Sequence, residues 1–325
     1  MYSEYMEAPK TLQEAIQYFA DYENCRRFMI SIRWEDGNVR CPYCGSMKVS
    51  YLEKARVYRC YGDHAKQKFS LKVGTVMEDS AIGLDKWFPA MWMLANCKNG
   101  VSSYEIHRAL GITQKSAWFL LQRIRLAMKN QSILKLGFDG GPVEMDETFI
   151  GGKVSNMHKS KRAKLGGKRR GVTGKAIVVG MLERNGRVKA EIVVERTQAA
   201  LRLVANKHVH SDAKLVTDEW GGYDGINFER AVVNHAIEYV NGQIHTNGIE
   251  NFWSLLKRSL GGTYISVEPF HLERYIDEQS YRFNNRATKD NPVNDLDRFA
   301  GVVAQLTGKR LTYSELTGKV GETAV

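Results

Sequence analysis

Seven side chains in this sequence have the types and spacing to do chemistry. Four are soft or borderline metal donors. "CPYCGS" sets Cys41 and Cys44 two residues apart, and "RCYGDHAKQKFS" sets Cys60 and His64 three apart, with fifteen residues between the pairs. Zinc takes four such donors in a tetrahedron, and two knuckles on facing hairpin tips supply them. The stretch is short, polar and glycine-bearing and cannot build its own core, so a structural Zn²⁺ ribbon is expected there. With all four positions filled by protein, the metal would hold structure and not substrate. His64 is the better fourth donor and Asp63 the fallback.

The other three are carboxylates: Asp146 in "VEMDET", Asp218 in "LVTDEW" and Glu250 in "HTNGIENFWSLLKR". Three hard oxygen ligands that meet with open positions suit Mg²⁺ or Mn²⁺. Two such ions about 3.5–4 Å apart activate a water or a 3′-hydroxyl in phosphodiester chemistry. Alternation does not choose among neighbouring acids: Glu144 and Asp146 share one strand face, Glu147 takes the other, and Glu219 opposes Asp218. The plain alternative is a set of solvated strand ends. For Glu250 it is a capping box, with Asn247 as N-cap and Glu250 reaching back to it. The two readings of Glu250 are compatible, since a fixed helix start would also place the acid.

The elements that must position these acids follow from periodicity. "GPVEMDETFI", "GKAIVVGMLE" and "VKAEIVVE" read as three close strands, hence an antiparallel meander. A helix around "TQAALRLVANKHV", a strand at "AKLVTDEW" and another at "AIEYV" follow. In that order the first and fourth strands pair at the centre of the sheet, and Asp146 can meet Asp218. Ile249, Phe252, Trp253 and Leu256 then form a buried helical stripe, with Glu250, Trp253, Ser254 and Lys257 on the adjacent one. Such a helix can cross the sheet and bring Glu250 to the pair. A further helix covers "PFHLERYIDEQSYRFNNR".

Upstream, residues 10–35 read as one or two short helices with Leu12, Ile16, Phe19 and Ala20 at helical spacing. "GVSSYEIHRALGITQKSAWFLLQRIRLAMK" has the layout of a helix-turn-helix. Ser102 or Ser103 caps the first helix, with Ile106, Ala109 and Leu110 inward; Gly111 turns the chain, and Thr113 caps the second. There Ala117, Leu120, Leu121 and Ile124 face inward, and Gln114, Lys115, Ser116, Gln122, Arg123 and Arg125 outward. A polar, basic helix start suits the major groove, so Gln114, Lys115 and Arg123 are candidate DNA contacts. An ordinary helical hairpin is the alternative. Between the first two strands, Lys153 to Lys175 carries many cations and no acid, as either a solvated loop or a phosphate contact.

The 325 residues are enough for several domains, and the hydrophobic fraction of 43% is that of a folded protein. The formal net charge of +11 favours a polyanion, nucleic acid first. No run of eighteen apolar residues predicts a membrane span, and the N-terminus does not read as a secretory signal. Five cysteines, an odd number, argue for a reducing compartment and a cytoplasmic protein. Cys25 and Cys97 read as inert thiols.

These pieces together resemble a known family, the DDE-type insertion-sequence transposases of the bacterial and archaeal branch that carries an N-terminal zinc ribbon. The matching stretches are "CPYCGS…YRC…KFSLKVGTVMEDS", "LGITQKSAWFLLQRIRLAM", "VEMDETFIGGK", "LVTDEWGGY" and "HTNGIENFWSLLKR…GTY", in the family's order over nearly the whole chain. The resemblance implies an RNase H-like catalytic domain, Mg²⁺-dependent cleavage of transposon ends and strand transfer to target DNA. It implies that Asp146, Asp218 and Glu250 are the triad and that Lys257 touches end DNA beside the scissile phosphate. Some branches carry Asn in the third place, so Asn247 and Asn251 are rivals to Glu250. The chain departs from the family at Asp63, where a zinc cysteine is usual, and at Arg286, displaced by one position from a frequent arginine.

The expected architecture is a multidomain α+β and α/β protein. N-terminal helices span 1–38, a zinc ribbon 39–78, a helix-turn-helix-like region 79–133, an RNase H-like mixed sheet with helices on both faces 139–290, and a helical tail 291–325. A homo-oligomer on DNA is expected. The rival functions are a DNA-binding regulator without catalysis and a metal-dependent nuclease.

Overall fold

The computed structural model describes residues 9–129, 132–152, 154–163, 173–184, 186–233, 246–289 and 291–319. The chain divides into two compact units, one formed by 1–128 with 287–325, the other by 129–286.

The first unit opens with two helices, α1 (Leu12–Ala20) and α2 (Tyr22–Arg33). They part at Asp21, whose carboxylate accepts the N–H of Glu23 at 2.8 Å and so caps the second. A three-stranded antiparallel sheet follows, β1 (Val49–Leu52), β2 (Val57–Cys60) and β3 (Lys68–Phe69), in sequence order. Its inward face carries Tyr58 and Phe69, whose rings stack at 5.6 Å. Helix α3 (Leu84–Asn96) is buried along most of its length, with Trp87, Phe88 and Trp92 inside. Helices α4 (Ser103–Leu110) and α5 (Gln114–Met128) flank Gly111, which adopts φ +60°, the left-handed turn expected of it. Ser102 and Glu105 close a capping box on α4, and Thr113 accepts the N–H of Ser116 at the start of α5.

The second unit is a five-stranded mixed sheet. Its strands are β4 (Val143–Ile150), β5 (Ala176–Glu183), β6 (Val188–Val193), β7 (Leu215–Thr217) and β8 (Arg230–Val232). The short helix α6 (Lys159–Ala163) lies between β4 and β5, and α7 (Gln198–His208) between β6 and β7. The strand order is β6-β5-β4-β7-β8, with β4, β5 and β6 antiparallel and β7 and β8 parallel to β4. Strand β8 is an addition to the expected set, and the expected strand at 236–240 lies outside the described residues. Helices α8 (Asn247–Arg258) and α9 (Leu272–Asn284) complete the unit. Leu201, Val204 and Ala205 of α7 pack with Val143, Met145, Val179 and Met181 on one face of the sheet. Ile249, Phe252, Trp253 and Leu256 of α8 pack with Val178 and Leu182 on the other, joined by Leu272 and Ile276 of α9. The apolar stripe of α8 is the one its periodicity predicts.

The C-terminal segment is helical, with α10 (Asp295–Val303) and α11 (Tyr313–Thr317). It is part of the first unit's core and not an appendage. Phe299 sits fully buried among Phe19, Phe28, Phe88 and Trp92, 5.1–6.2 Å between ring centres.

Candidate functional site

Strands β4 and β7 run parallel with Val143 opposite Leu215 and Glu144 opposite Val216. Two residues past the second pair stand Asp146, on β4, and Asp218, directly after the end of β7, so alternation sends both toward the same face. The helix laid over that face is α8. Its Trp253 donates the indole N–H to Asp146 Oδ2 at 2.9 Å. Across β5, Asp146 pairs with Gly180, where a Cβ would stand 2.6 Å from the Trp253 ring and 2.9 Å from Ile249. Residue 180 has to be glycine for the helix to lie this close.

The five acids among which alternation does not choose separate by environment. Glu144 is buried to 1% exposure. Its Oε2 accepts the backbone N–H of Ile249 in the first turn of α8 at 2.9 Å, and Arg184 stands 3.6 Å from its Oε1. Glu147 is buried on the opposite face, ion-paired with Arg196 and accepting the Tyr223 hydroxyl. The Arg196 guanidinium in turn lies 3.5 Å from the centre of the Trp220 ring. Glu219 is exposed. Both buried glutamates are therefore spent on structure, and Asp146 and Asp218, each half-buried, remain as the less buried acids of these two central strands.

Burial, with the charges of Glu147 and Asp218 nearby, raises the Asp146 carboxyl to about 6, against a lowering hydrogen bond from Trp253. The same burial, then Glu147, pushes the Tyr223 phenol up. Asp218 Oδ1 accepts the N–H of Trp220 at 3.1 Å, and its backbone carbonyl accepts from Arg230 at 3.0 Å. That arginine also holds Thr217 at 2.9 Å, so β8 braces the end of β7.

Glu250 is exposed on α8, one turn before Trp253 on the same side, and accepts the Thr246 hydroxyl at 3.2 Å. The expected capping box is not formed. The N-cap is Thr246, with no side-chain cap bond, and Asn247 is the first helical residue. The donor that a local cap would satisfy is taken by Glu144, a partner 105 residues away. Lys257 is exposed in the last turn of α8, and Asn251 is exposed on its surface. Arg286 lies over the Phe283 ring at 3.8 Å, and Arg282 is ion-paired with Glu278 in the buried layer.

Among the described residues, one group of four donors draws together tightly enough to hold a metal: Cys41, Cys44, Cys60 and His64, all within 4.8 Å of one another. Asp146, Asp218 and Glu250 are not drawn into such a group. Cys41 Sγ lies 3.4 Å from His64 Nε2, and Cys44 Sγ 3.7 Å from Cys60 Sγ. Zn–S bonds of about 2.3 Å and Zn–N bonds of about 2.0 Å imply tetrahedral edges of about 3.5 and 3.8 Å, so the donors fit structural Zn²⁺. A disulfide would need about 2.05 Å. Asp63 is exposed and outside the group, so His64 is the fourth donor. Gly45 turns the first knuckle at φ +72°, and Gly62 leaves room for the sulfurs of Cys44 and Cys60 in the second. Cys25 is buried and its thiol is pushed up to about 12, as an inert core residue should be.

The helix-turn-helix-like pair departs from expectation in what it exposes. Arg123, expected to face outward as a DNA contact, is buried at 5% exposure. Its Nε donates to the carbonyl of Leu311 and its Nη1 to that of Glu78. Gln122 and Arg125 are buried too. The C-terminal segment supplies Leu311, and sequence periodicity on α5 alone could not show that a second layer covers it. Gln114 is half-buried and donates to Ser103 Oγ at 2.9 Å, while Lys115 is exposed with its ammonium 4.7 Å from the Tyr313 ring centre. Of the basic stretch Lys153–Lys175, residues 153 and 164–172 lie outside the described residues.

Comparison with known proteins gives two domain matches. Residues 139–284 match the ISXO2-like transposase domain, and residues 20–62 the transposase zinc-ribbon domain. The chain is 26% identical over 258 residues to an uncharacterized protein in transposable element ISH50 of Halobacterium salinarum, covering 75% of this chain and 85% of that one. A solved structure of the simian T-cell lymphotropic virus intasome in complex with PP2A regulatory subunit B56 gamma aligns over 64% of this chain and 72% of that one. The identity over that alignment is 11% and the TM-score 0.29.

Proposed function

We propose that this chain, which carries the transposase and zinc-ribbon domains of an insertion-sequence transposase, cuts DNA at transposon ends and joins the freed 3′ ends to target DNA. In this reading Asp146, Asp218 and Glu250 are the carboxylate set, and the unit around them, expected over 139–290, is RNase H-like. The carrying observation is that β4 and β7 are adjacent parallel strands at the middle of the β6-β5-β4-β7-β8 sheet, with Asp146 on the first and Asp218 directly after the second. Helix α8 supports the third position, because its Trp253 touches Asp146 and Glu250 lies one turn ahead.

Hard carboxylate oxygens at a site where burial and neighbouring acids make the Asp146 charge costly fit Mg²⁺ or Mn²⁺. When bound, a divalent ion supplies Lewis-acid charge at the reacting phosphate. The chain's own residues do the rest. Trp253 fixes one oxygen of Asp146, Arg230 steadies the backbone at Asp218, and Lys257 offers a cation two turns beyond Glu250 for the DNA backbone. A homo-oligomer on the two transposon ends fits this activity.

The test is cleavage and strand transfer on end-bearing DNA with D146N, D218N and E250Q, alongside DNA binding. Cleavage in Mg²⁺ should fall by several orders of magnitude while binding persists. Wild-type cleavage by D146N and D218N would overturn the reading. An active E250Q beside an inactive, normally folded N247A would move the third place to Asn247. Nicked products without joined ones would make the enzyme a nuclease.

A further inference from the structure

One face of the ribbon sheet is not explained by folding. Alternation sends Tyr58 and Phe69 inward, and sends Arg59 and Lys68 outward, where both are exposed. These two are register partners on β2 and β3, with Ser50 opposite Arg59 on β1. Like charges directly opposite one another in a sheet cost stability. Lys66 extends the row and is also exposed. Among the described residues, no carboxylate lies within ion-pair distance of Arg59, Lys66 or Lys68, which line an open depression of about 570 Å³.

Two exposed tyrosines frame this row. The Arg59 guanidinium lies 5.4 Å from the Tyr61 ring centre, and the Lys66 ammonium 5.5 Å from that of Tyr43. Tyr61 is itself anchored, its hydroxyl 3.0 Å from Ser50 Oγ. Rings that hold two cations in place lower the ordering cost of meeting an anion. The zinc donors Cys60 and His64 alternate in sequence with these residues, so the same knuckle that holds the metal fixes the row.

We infer that this face binds the phosphate backbone of duplex DNA, as a contact surface separate from α5 and from the carboxylate site. An open row of unpaired cations across a sheet matches a repeating polyanion, whereas a single small anion is held by donors converging in an enclosed pocket. Phosphate contacts of this kind fix where the duplex lies and carry no sequence information directly, so the row positions DNA. The inference rests on the proposed function only for the identity of the polyanion.

The test uses the full-length, zinc-loaded chain and a duplex oligonucleotide, with affinity measured over a series of salt concentrations. The triple variant R59Q/K66Q/K68Q should bind on the order of tenfold or more weakly at low salt. Its slope of log affinity against log salt should be shallower by about 0.9 for each phosphate that is no longer neutralised. Its thermal midpoint should equal or exceed wild type, because the repulsion between strands is gone. K68E is the second variant: it gives Arg59 a carboxylate partner, so the midpoint should rise while binding falls. Wild-type affinity and slope in the triple variant would overturn the inference, and so would a loss confined to one DNA sequence. Those outcomes leave the transposase reading standing, whereas a wild-type chain that binds no duplex DNA would sink both.

Discussion

The indole N–H of Trp253 meets Asp146 Oδ2 at 2.9 Å, and does so over a glycine. Trp253→Phe keeps the ring against Gly180 and removes only the donor. End cleavage under single-turnover conditions should slow by about tenfold or more, with DNA affinity unchanged and stability lowered by about 1 kcal/mol. Gly180→Ala should act through packing instead: its Cβ would stand 2.6 Å from the ring, so a loss of about 1–3 kcal/mol is expected in urea unfolding. Cleavage at the wild-type rate in Trp253→Phe would show that the hydrogen bond does not position the acid.

Asp146 also makes the stability of the metal-free protein depend on pH. Its folded carboxyl is raised to about 6 from 3.8, so the folded state holds the proton more tightly than the unfolded one. Ionisation therefore costs stability: the cost is absent below about pH 4 and complete above about pH 6. It amounts to at most roughly 3 kcal/mol. Asp146→Asn removes it, so the variant should be the more stable protein at pH 8 and indistinguishable near pH 4. Mg²⁺ should raise the wild-type midpoint at pH 8 and leave the variant's unmoved. A stability difference that does not vary with pH would rule this account out.

The zinc cluster predicts about one tightly held Zn²⁺ per chain. His64→Ala should release it to a chelator far faster than wild type. Asp63→Ala should hold it normally, since Asp63 is exposed and outside the donor group. Metal analysis of the purified proteins decides it, and zinc loss in Asp63→Ala alone would reassign the fourth donor.

What is legible in the sequence shares one property, dependence on local period or spacing. The stripe Ile249, Phe252, Trp253 and Leu256 follows from 3.6-residue repetition, and the zinc donors from two short gaps. The pairing of β4 with β7, the strands that carry and precede Asp146 and Asp218, follows from strand order, because a meander, a helix and a return strand leave few pairings. What is not legible depends on partners far along the chain. Gly180 gives no sign that a tryptophan will lie on it. Arg123 looks solvent-facing until a segment nearly 190 residues later supplies the Leu311 carbonyl. Glu144 looks like a spare ligand in the sequence, and is instead the acceptor that starts α8.

Arg123 and Lys115 should therefore separate, although their positions on one helix suggest DNA contact for both. Arg123→Ala strands two buried carbonyl acceptors and should cost about 2–3 kcal/mol. Below its unfolding transition it should bind DNA nearly as wild type does. Lys115→Ala, at an exposed position, should change stability by no more than about 0.5 kcal/mol and weaken binding. A folded Arg123→Ala protein with a selective loss of DNA affinity would return that residue to the interface.

The start of α8 gives the sharpest contrast. Glu144 Oε2 accepts the Ile249 N–H at 2.9 Å, and a Cβ at Gly248 would lie 2.8 Å from that same oxygen, so helix and strand meet with no space between them. An anion at a helix N-terminus is favoured by the helix dipole, and here it is also paired with Arg184 in a buried setting. Glu144→Gln keeps the shape and one acceptor but removes the buried charge that faces both the helix start and Arg184, for a loss of about 1–3 kcal/mol. Asn247→Ala should cost no more than about 0.5 kcal/mol, because Asn247 is an exposed first-turn residue and not the cap. Thermal unfolding of the two variants side by side checks this. If Asn247→Ala proves the more damaging, the helix is held by its own cap after all, and Glu144 does not set where Glu250 stands.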